Sequence, residues 1–586
     1  MKEKKKKISK KKRIVIIAAS ICMIAAAAYG IYRWIVQSNM DEEVAKRESW
    51  AVETGELLSG NTQTKVNIYN AAKDAGIQIY QIIPQESERN SFSYYDLDVQ
   101  SRLEQTLEDL KSEADYTIEA PLAVWNPYGT GSNGLYIYFE ADDASGVSYT
   151  IHTEGGNYED YTANANVSEG SQKEFLIIGL VPGERSEVTV RLTDEEGQVT
   201  DSTTFWVETP ETISGYDVLL EKTDGTSTQP VTDGLYYTLG TQGYYGYMFF
   251  FDNDGVMRYE MLLDGYKADR VLMNGDQMIC CVASDQIGQL NRLGQVTQLI
   301  DLDGYVMHHD FNWGADGQLI ILATKENTFD DRVMDFVLGA DLETGEVSEL
   351  ADLRNIFPDY YDMTEKVNST SAFFWQAGTR DWIHVNSVDY KDDGSILLSS
   401  RETSTLIKIA DIYENPELEY LIGDAAYWEE TSYASYSYEK SGEFKDQYGQ
   451  HTASFIESDD LEDGQYYIMM YNNNYYANST RTDGYEPELD DSVSENLTDE
   501  EAVSQVYVYL VDENEKTYSL AWSFDVPYSS IVSSVQAYDG NFVINSGVAN
   551  VFGEYDDTGN LIQSFEYECS FQGYRVMKDS FEGYWF

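Results

Sequence analysis

The sequence predicts an all-β protein, in which a β-propeller follows a small N-terminal β-sandwich domain and an N-terminal transmembrane helix. Three observations predict this class. After residue 121 the chain consists of short β-branched and aromatic runs bounded by Gly, Pro or Asp. From residue 215 onward, a turn of Asp or Asn followed by Gly opens strand after strand. Near the N-terminus lies one long apolar run.

The first 36 residues predict an uncleaved membrane signal anchor. A basic tail (residues 1–13) with nine Lys/Arg and one Glu precedes an almost wholly apolar run (residues 14–36). A helix of that length spans about 35 Å, and a bilayer core is about 30 Å thick. The basic flank stays in the cytoplasm. A cleaved signal peptide is the alternative interpretation. We therefore expect a single-pass protein of the cell membrane whose remaining chain is extracellular.

Residues 37–118 are predicted to form a stalk and a helical entry segment. Up to residue 96 the composition is polar and mixed, with weak helical signs. Over 97–115 the apolar positions recur at helical spacing, which predicts a short amphipathic helix docked on the next domain. The residues on that face are Leu97, Leu103, Leu107 and Leu110.

Residues 119–210 are predicted to form the N-terminal β-sandwich. The runs "GLYIYFEA", "GVSYTIHT" and "TTFWVETP" are short, β-branched and aromatic. The run "IIGLVPGERSEVTVRLTDEEGQVTDSTTFWV" (177–207) is similar to the end of a fibronectin-III-like sandwich. The domain is expected to close near Pro210.

Residues 215–586 are predicted to form the β-propeller. The phrase Asp-Gly followed by an apolar strand appears as "DGQLIILA" (316–323), "DGSILLSS" (393–400) and "DGNFVINS" (539–546). At about four strands and 40 to 50 residues per blade, this length holds six to eight blades. Two long acidic loops, 413–450 and 472–505, interrupt the repeat.

Charge and cysteine content limit the chemistry of the chain. The formal net charge of −63 repels nucleic acid and other polyanions. Four cysteines are too few for a disulfide scaffold. Cys280 and Cys281 are adjacent and Cys569 is distant, so one bridge to Cys569 and free buried thiols both remain open. The chain has no CxxC metal pattern, Walker A motif or GxSxG motif, and no cofactor is predicted.

Four of the five histidines fall in the predicted propeller, each in a turn–strand setting. Arg401 follows a strand that ends in two serines. If the blades bring these segments to one mouth of the central channel, they form a local cationic site. Such a site suits a small oxyanion such as sulfate, phosphate or carboxylate. The four histidines are His308, His309, His384 and His451. The fifth, His152, lies in a sandwich strand and is interpreted as structural or exposed.

Two of these histidines, His308 and His309, are adjacent. Neighbours on a strand point to opposite faces, so we expect one ring to face the channel while the other packs. Asp310 is a candidate to orient one ring. A metal site made of His308, His309, Asp310 and His384 is the rival hypothesis. No HxH or HExxH spacing supports it, and no metal is predicted.

At these residues the sequence resembles the bacterial arylsulfate sulfotransferases that use no nucleotide sulfate donor. The resemblance runs from "PLAVWNPYGTG" (121–131) to the C-terminus. Its motifs include "HHDFNWGADGQLIIL", "DWIHVNSVDYKDDGSILLSSRETSTLIKI" and "YGQHTASFI", and the block HxNSV…ILLSSR is the most specific. The resemblance implies a six-bladed propeller behind the sandwich.

The resemblance also implies a ping-pong reaction. An aryl sulfate gives its sulfuryl group to a histidine, and the sulfo-histidine passes it to a phenolic acceptor. His451 matches the nucleophile, and His384 and Arg401 match the residues that hold the sulfuryl oxygens. His309 is favoured over His308 for the remaining histidine role, with His308 as a substrate-binding candidate. Asn386, in the "HVN" triplet, is a further sulfuryl-binding candidate.

Two other functions remain open at the level of the sequence. A non-catalytic propeller on the cell surface could bind a glycan or a protein, since fold alone does not determine function. A metal-dependent hydrolase is the third hypothesis. The histidines and the arginine favour the transferase, because a pure binding module does not need them at one channel mouth. The oligomeric state is left open.

Overall fold

The computed structural model describes residues 64–69, 76–84, 93–142, 146–168, 170–242, 245–325, 334–371, 373, 376–569 and 573–586. Their regular structure is almost entirely β-strand. The basic tail and the apolar run 14–36 lie outside the described residues.

The expected membrane anchor is a prediction that has to be corrected. Among the described residues, no helix combines the length and apolar character needed to cross a bilayer. The predicted location, a single-pass protein of the cell membrane with an extracellular domain, is therefore wrong. It depended on the apolar run and the basic flank of a segment that lies outside the described residues.

The N-terminal region contains nine strands and one helix. The strands are β1 Thr64–Ile68, β2 Ile79–Pro84, β3 Leu122–Trp125, β4 Leu135–Glu140, β5 Gly146–Thr153, β6 Tyr161–Asn164, β7 Gln172–Ile177, β8 Arg185–Thr193 and β9 Val199–Glu208. They form two sheets, β1-β2-β3-β4-β7 and β6-β5-β8-β9. The two sheets share one apolar core that includes Trp125, Tyr149 and Phe205.

Two of these strands were not foreseen. β1 and β2 fall in the segment predicted as a stalk, and they extend the first sheet by antiparallel and parallel pairing. They are short and mixed in composition, "TKVNI" and "IYQIIP", so periodicity alone does not separate them from a polar linker.

The predicted amphipathic helix is present as α1, Leu97–Lys111. Asp96 caps it, since its carboxylate accepts from the backbone N–H groups of Asp98 (2.8 Å) and Val99 (3.2 Å). Three of the four predicted leucines are buried, at 103, 107 and 110. Leu97 is 44% exposed, because it occupies the first turn, beyond the edge of the packed face. The helix contacts both β2 and the strand Val296–Asp301, so it joins the first sheet to the C-terminal region.

The C-terminal region is built from strands β10 to β35. They are β10 Glu221–Asp224, β11 Leu235–Gln242, β12 Tyr245–Phe251, β13 Met257–Leu263, β14 Val271–Asn274, β15 Gln277–Ala283, β16 Gln286–Asn291, β17 Val296–Asp301, β18 Tyr305–Trp313, β19 Leu319–Lys325, β20 Met334–Ala340, β21 Val347–Asp352, β22 Val385–Tyr390, β23 Ile396–Ser400, β24 Thr405–Ala410, β25 Glu417–Ile422, β26 Glu439–Lys440, β27 His451–Ile456, β28 Gln465–Asn472, β29 Ser504–Asp512, β30 Thr517–Val526, β31 Ser534–Tyr538, β32 Asn541–Ser546, β33 Val551–Tyr555, β34 Leu561–Glu566 and β35 Val576–Asp579. Two short helices follow β21: α2 Leu353–Ile356 and α3 Pro358–Asp362.

In the described part of the chain these strands form six sheets, numbered I to VI here. In order they are β13-β12-β11-β35, β14-β15-β16-β17, β18-β19-β20-β21, β22-β23-β24-β25, β26-β30-β29-β28-β27 and β10-β34-β33-β32-β31. Each sheet contacts the next one, and sheet VI contacts sheet I through β31 and β35. Sheet I takes β35 from the end of the chain, so the first and last parts of the region are interleaved.

The repeated Asp-Gly phrase forms the tight turns that the sequence predicts. Asp316 and Gly317 both have positive φ (52° and 75°), as do Asp539 and Gly540 (46° and 86°). Positive φ at two consecutive residues is typical of the type I′ hairpin turn, which asparagine, aspartate and glycine tolerate best. Each turn returns the chain into the next strand of the same sheet, as in β18–β19 and β31–β32.

Candidate active site

The predicted site residues come from sheets III, IV and V, which are neighbours. His308 and His309 lie in β18, Asn386 in β22, and His451 opens β27. His384 directly precedes β22 and Arg401 directly follows β23. β18 contacts β22, and β22 contacts β27, so the structure brings the six residues into one cluster.

Interruptions in the strand pairing shape this cluster. The pairing register shifts between Met307 and Phe311 in β18, between Val385 and Ser387 in β22, and between His451 and Ser454 in β27. A shift of this kind leaves residues unpaired and re-aims their side chains. The histidines are therefore presented where three strands in succession leave their regular ladders.

The adjacent pair does not follow the alternation of a regular strand. His309 has a φ of 58°, inside the interrupted stretch of β18. The rings of His308 and His309 lie edge to face with centroids 5.3 Å apart, and the His309 ring lies 4.9 Å from that of His384. His309 belongs to the lining of the cavity described below and the buried His308 does not. The expectation that one ring faces the open site while the other packs stays a prediction, although the register shift interrupts the two-residue period.

His384 is held by a buried carboxylate. Its Nδ1 lies 2.6 Å from Oδ2 of Asp381, and the same oxygen accepts a bond from Nη2 of Arg401 at 3.2 Å. Burial by itself would raise the pKa of Asp381, but His384 and Arg401 hold it below its usual range. Asp381 therefore stays ionised and fixes the positions of His384 and Arg401.

Arg401 keeps donor capacity beyond these bonds. Its guanidinium lies over the ring of Phe373, 4.0 Å from the centroid, and Nη2 also approaches Glu402 at 3.4 Å. Its Nε is buried and has no hydrogen-bond partner in the described residues. Burial raises the pKa of Glu402 to about 7 against the opposing effect of Arg401. A planar donor with an unused N–H is suited to binding an oxyanion.

His451 is fixed in one tautomer. Its Nδ1 lies within reach of two acceptors, the Gly449 carbonyl (2.9 Å) and Oδ1 of Asn473 (2.8 Å). Both can only accept here, because the Asn473 amide donates its N–H groups to the carbonyls of Ser529 (2.7 Å) and Val532 (2.8 Å). Nδ1 thus carries the proton, and Nε2 carries the lone pair.

The Nε2 lone pair meets a single backbone donor among the described residues. The Val532 N–H donates to it at 3.2 Å. Val532 and the next residue, Ser533, have φ values of 55° and 90°, a region that a β-branched residue rarely adopts. The lone pair is therefore engaged by one backbone N–H from a strained segment, and an electrophile that approaches Nε2 has to displace this single bond.

Asn386 and Tyr574 fill the space between the histidines. Asn386 is fully buried, its Nδ2 donates to the Gln450 carbonyl (2.8 Å), and its Oδ1 has no partner in the described residues. The Tyr574 hydroxyl donates to the Asn386 carbonyl. The Tyr574 ring stands edge-on to His309 (5.5 Å) and to His451 (5.6 Å). It therefore separates the two imidazoles and holds them at a fixed distance.

The imidazoles of the cluster are neutral near pH 7. Burial lowers the pKa of His308 and of His451 to about 3, and it lowers the pKa of His309 and His384 as well. Neighbouring imidazoles and Arg401 act in the same direction on His309 and His451. An unprotonated imidazole is a nucleophile, so the cluster can react near neutral pH.

Asp310 has a different role from the one expected. Its carboxylate accepts from Arg270 (2.8 and 3.1 Å), from Arg575 (2.9 Å) and from the Val388 N–H (3.0 Å). It is thus saturated by two arginines and a backbone donor, and Asp381 is the carboxylate that orients an imidazole. The rival metal site of His308, His309, Asp310 and His384 loses its carboxylate ligand for the same reason.

A cavity of about 820 Å³ adjoins the cluster between sheets I and VI. His309, Val532 and Tyr574 belong to its lining. The other aromatic side chains that line it are Tyr216, Phe249, Phe251, Tyr266 and Tyr567. The tyrosine-rich loop 427–448 does not line this cavity. Tyr427 and Tyr433 of that loop are buried in the core.

Sequence reasoning missed three residues of the cluster. Asp381 stands three residues before His384 in the "DWIH" stretch, and that spacing is a usable signal. Asn473 lies in the run "NNN" after an apolar strand, which only indicates a polar turn. Tyr574 is one of 47 tyrosines and carries no signal of its own.

Solved structures with some likeness to the chain have low similarity scores. They include a putative 6-phosphogluconolactonase from Bacteroides fragilis (12% identity, 74% of this chain and 98% of that one, TM-score 0.31). Others are a virginiamycin B lyase from Staphylococcus aureus (10%, 59% and 87%, 0.28) and BamB from Moraxella catarrhalis (10%, 74% and 96%, 0.26). TM-scores of this size support no conclusion about this chain. No curated protein matches the chain.

Family models match most of the chain. The arylsulfotransferase (ASST) model matches residues 221–578, which include every residue of the cluster. The arylsulfotransferase Ig-like domain model matches residues 122–210, the region of the two N-terminal sheets. The chain therefore belongs to the arylsulfotransferase family, as the resemblance of its histidine motifs implied.

Proposed function

We propose that the protein transfers a sulfuryl group from an aryl sulfate to a phenol by a ping-pong mechanism, with His451 as the covalent carrier and without a nucleotide donor. The observation that carries the proposal is the fixed tautomer of His451. Its Nδ1–H is committed to Gly449 and Asn473, so the lone pair of Nε2 is the reactive position. The match to an arylsulfotransferase model supports the reaction class.

In the first half-reaction Nε2 of His451 attacks the sulfur of the aryl sulfate. The new N–S bond forms as the bond between sulfur and the aryl oxygen breaks, and the bonding pair leaves with the phenolate. The Nδ1 proton stays in place, and its two acceptors stabilise the positive charge that develops on the ring.

Arg401, His384 and Asn386 are proposed to hold the sulfuryl oxygens. Arg401 has an unused Nε–H, and one N–H of the Asn386 amide remains beyond the bond to Gln450. Sulfuryl transfer places negative charge on the peripheral oxygens, and donors fixed in advance stabilise it in the transition state. His308 lies beside His309 and serves as a further contact.

The leaving phenolate is proposed to take its proton from His384 or His309. Both are neutral in the free protein because burial lowers their pKa. Binding of the anionic donor raises the pKa of a nearby imidazole, and the Asp381 carboxylate acts in the same direction on His384. General acid catalysis of this kind accelerates a reaction by about 10²- to 10⁴-fold.

The second half-reaction runs the same steps in reverse with a new phenol. An imidazole takes the phenolic proton, the phenol oxygen attacks the sulfur, and the N–S bond breaks. The pair returns to Nε2 of His451. The aryl rings of donor and acceptor are proposed to occupy the cavity that His309 and Tyr574 line.

The proposed architecture follows from the contacts between sheets. We assign sheets I to VI as the blades of a six-bladed β-propeller that spans residues 215–586, with the N-terminal β-sandwich at 119–210. The contact of each sheet with the next, and of sheet VI with sheet I, supports this assignment.

The test uses the full-length protein with a chromogenic aryl sulfate and no nucleotide. Release of the phenolate is followed with and without a second phenol, and the sulfated acceptor is identified by mass. Release that rises with the acceptor and disappears in His451→Ala supports the proposal. Release that ignores the acceptor indicates a hydrolase, and a folded protein inactive on several aryl sulfates indicates a binding module.

A further inference from the structure

We propose that Arg575 is a positioning residue, which holds the His309 imidazole and the Tyr574 ring in their places in the cluster. The inference rests on the proposed function and adds to it a residue that acts through two others. It is carried by the contacts of one buried guanidinium with the His309 carbonyl, the Tyr574 side chain and the Asp310 carboxylate.

The last strand of the chain carries Arg575 into the cluster. Arg575 directly precedes β35, which completes sheet I by pairing with β11. From there its side chain reaches two residues of β18, in sheet III. Arg575 is buried and does not belong to the lining of the cavity of about 820 Å³. Its effect on the reaction therefore passes through the residues that it holds.

The backbone of His309 needs support of this kind. Its φ of 58° lies in the left-handed region, which is costly for residues other than glycine and persists only where the surroundings hold it. The His309 N–H donates to the Lys267 carbonyl (3.0 Å), and the His309 carbonyl accepts from Nη1 of Arg575 (2.8 Å). The Asp269 N–H also points at this carbonyl, from 3.5 Å. The shorter of these two bonds to the carbonyl comes from Arg575.

The same guanidinium fixes Tyr574. It lies 4.3 Å from the centroid of the Tyr574 ring, and Nη2 donates to the Tyr574 hydroxyl at 3.2 Å. A cation over an aromatic face is a favourable arrangement. The hydroxyl donates in turn to the Asn386 carbonyl. Because the Tyr574 ring stands between His309 and His451, fixing this ring sets the separation of the two imidazoles.

Asp310 holds Arg575 in this position and supplies a matched comparison. It accepts from Nη1 of Arg575 at 2.9 Å, and its second oxygen lies 2.9 Å from Nη2. Arg270 binds the same carboxylate through Nε (2.8 Å) and Nη2 (3.1 Å). Within the described ranges Arg270 makes no hydrogen bond to His309 or Tyr574. The two arginines share one partner, and of the two it is Arg575 that reaches the cluster.

The first experiment compares Arg575→Lys with Arg270→Lys in the full-length protein. Each change keeps a positive charge beside Asp310, so neither leaves a buried carboxylate unpaired. A lysine at 575 cannot bind the His309 carbonyl, the carboxylate and Tyr574 together, because it lacks the planar fork of donors. We expect kcat to fall about 10- to 100-fold in Arg575→Lys, as for a slightly displaced catalytic group, and by less than about threefold in Arg270→Lys.

Melting temperatures separate a loss of stability from a loss of position. Both variants lose hydrogen bonds to Asp310, so we expect similar falls in melting temperature. Equal losses of kcat in the two variants, or an unchanged kcat in Arg575→Lys, would overturn the proposal. If Arg575→Lys does not fold, Arg575→Met replaces it in the same comparison, since Arg270 still neutralises the carboxylate.

A second measurement does not depend on catalysis. The chain has five histidines, so histidine labelled with ¹³C in the ring gives five NMR signals. In Arg575→Lys we expect the His309 and His451 signals to shift. The exposed His152 should keep its signal, and in Arg270→Lys all five should stay in place.

This measurement also separates the inference from the proposed function. A His309 signal that does not move in Arg575→Lys, or that moves equally in Arg270→Lys, contradicts the inference even if sulfuryl transfer occurs. A shift confined to Arg575→Lys, in a protein that transfers no sulfuryl group to any phenol, supports the inference and contradicts the proposed function.

Discussion

His451 and His384 lie in neighbouring sheets, and each is held through Nδ1, but their partners differ. His451 donates to neutral acceptors, the Gly449 carbonyl and the Asn473 amide. His384 faces the Asp381 carboxylate at 2.6 Å. Burial lowers the pKa of both rings. Against it, the hydrogen bonds to neutral acceptors raise the pKa of His451 without adding a charge, whereas the Asp381 carboxylate raises the pKa of His384 by its charge as well as by its hydrogen bond. The difference supports the roles proposed above, nucleophilic attack by His451 and proton transfer by His384.

The strongest test of this comparison is removal of the nucleophile. In His451→Ala, transfer from any aryl sulfate should fall by at least about 10⁴-fold, because the proposed mechanism has no other group to carry the sulfuryl. Mass spectrometry of the protein after a brief reaction with the donor should detect a sulfuryl adduct in the wild type only. His152→Ala is the matched control, since His152 is exposed and bonds to Asp160. An adduct that persists in His451→Ala would place the carrier elsewhere.

The next effect should come from Arg401, which both histidine environments share. Arg401→Ala removes the donor with the unused Nε–H and should lower kcat by about 10²- to 10³-fold. Arg401→Lys should recover only part of the loss, because a lysine cannot match the fork of donors or the stacking on Phe373. Initial rates over a range of donor concentrations separate kcat from KM. A rise in KM with kcat unchanged would mean that Arg401 binds the donor without stabilising the transition state.

Sequence patterns predicted the composition of this cluster better than its arrangement. The Asp-Gly turns and the β-branched runs are local signals, and the hairpins they predict are present. The directions in which the side chains of His308 and His309 point were not predictable, because a register shift depends on how β18 pairs with β19. The partners that distinguish His451 from His384 were missed for a related reason. Asn473 reaches His451 across 22 residues of chain, which no local pattern encodes.

The third prediction separates proton transfer from nucleophilic attack. Asp381→Asn removes the charge that favours a proton on His384, so transfer should slow by about 10² for donors whose phenol is weakly acidic. Donors that release an acidic nitrophenol need no proton and should slow much less. The slope of log kcat against the pKa of the leaving phenol measures this difference. Asp392→Asn, on an exposed turn of the same sheet, is the control. A uniform loss for all leaving groups would assign Asp381 a purely structural role.

The last prediction concerns a variant, Asn473→Asp, in which His451 gains a carboxylate partner of the kind that His384 has. Burial holds the pKa of His451 at about 3, so the first half-reaction with an acidic leaving phenol should keep its rate as the pH falls from 8 to 5. In Asn473→Asp a carboxylate faces Nδ1 and raises that pKa. The protonated ring has no lone pair, so the rate should stay near the wild-type value at high pH. Below the new pKa it should fall about tenfold per pH unit.

The control for this exchange is Asn472→Asp. Asn472 is the chain neighbour of Asn473, and its amide bonds to Tyr448 and Gln505 rather than to a histidine. The same acidic limb in Asn472→Asp would mean that added negative charge, not contact with Nδ1, shifts the profile. Asn473→Asp also loses the donors to Ser529 and Val532, which costs about 1 to 3 kcal/mol of stability. That loss lowers the melting temperature but does not change the pH at which the rate falls. A pH–rate profile of wild-type shape in Asn473→Asp would therefore contradict the idea that the partner of Nδ1 determines the role of each histidine, even if the variant is less stable.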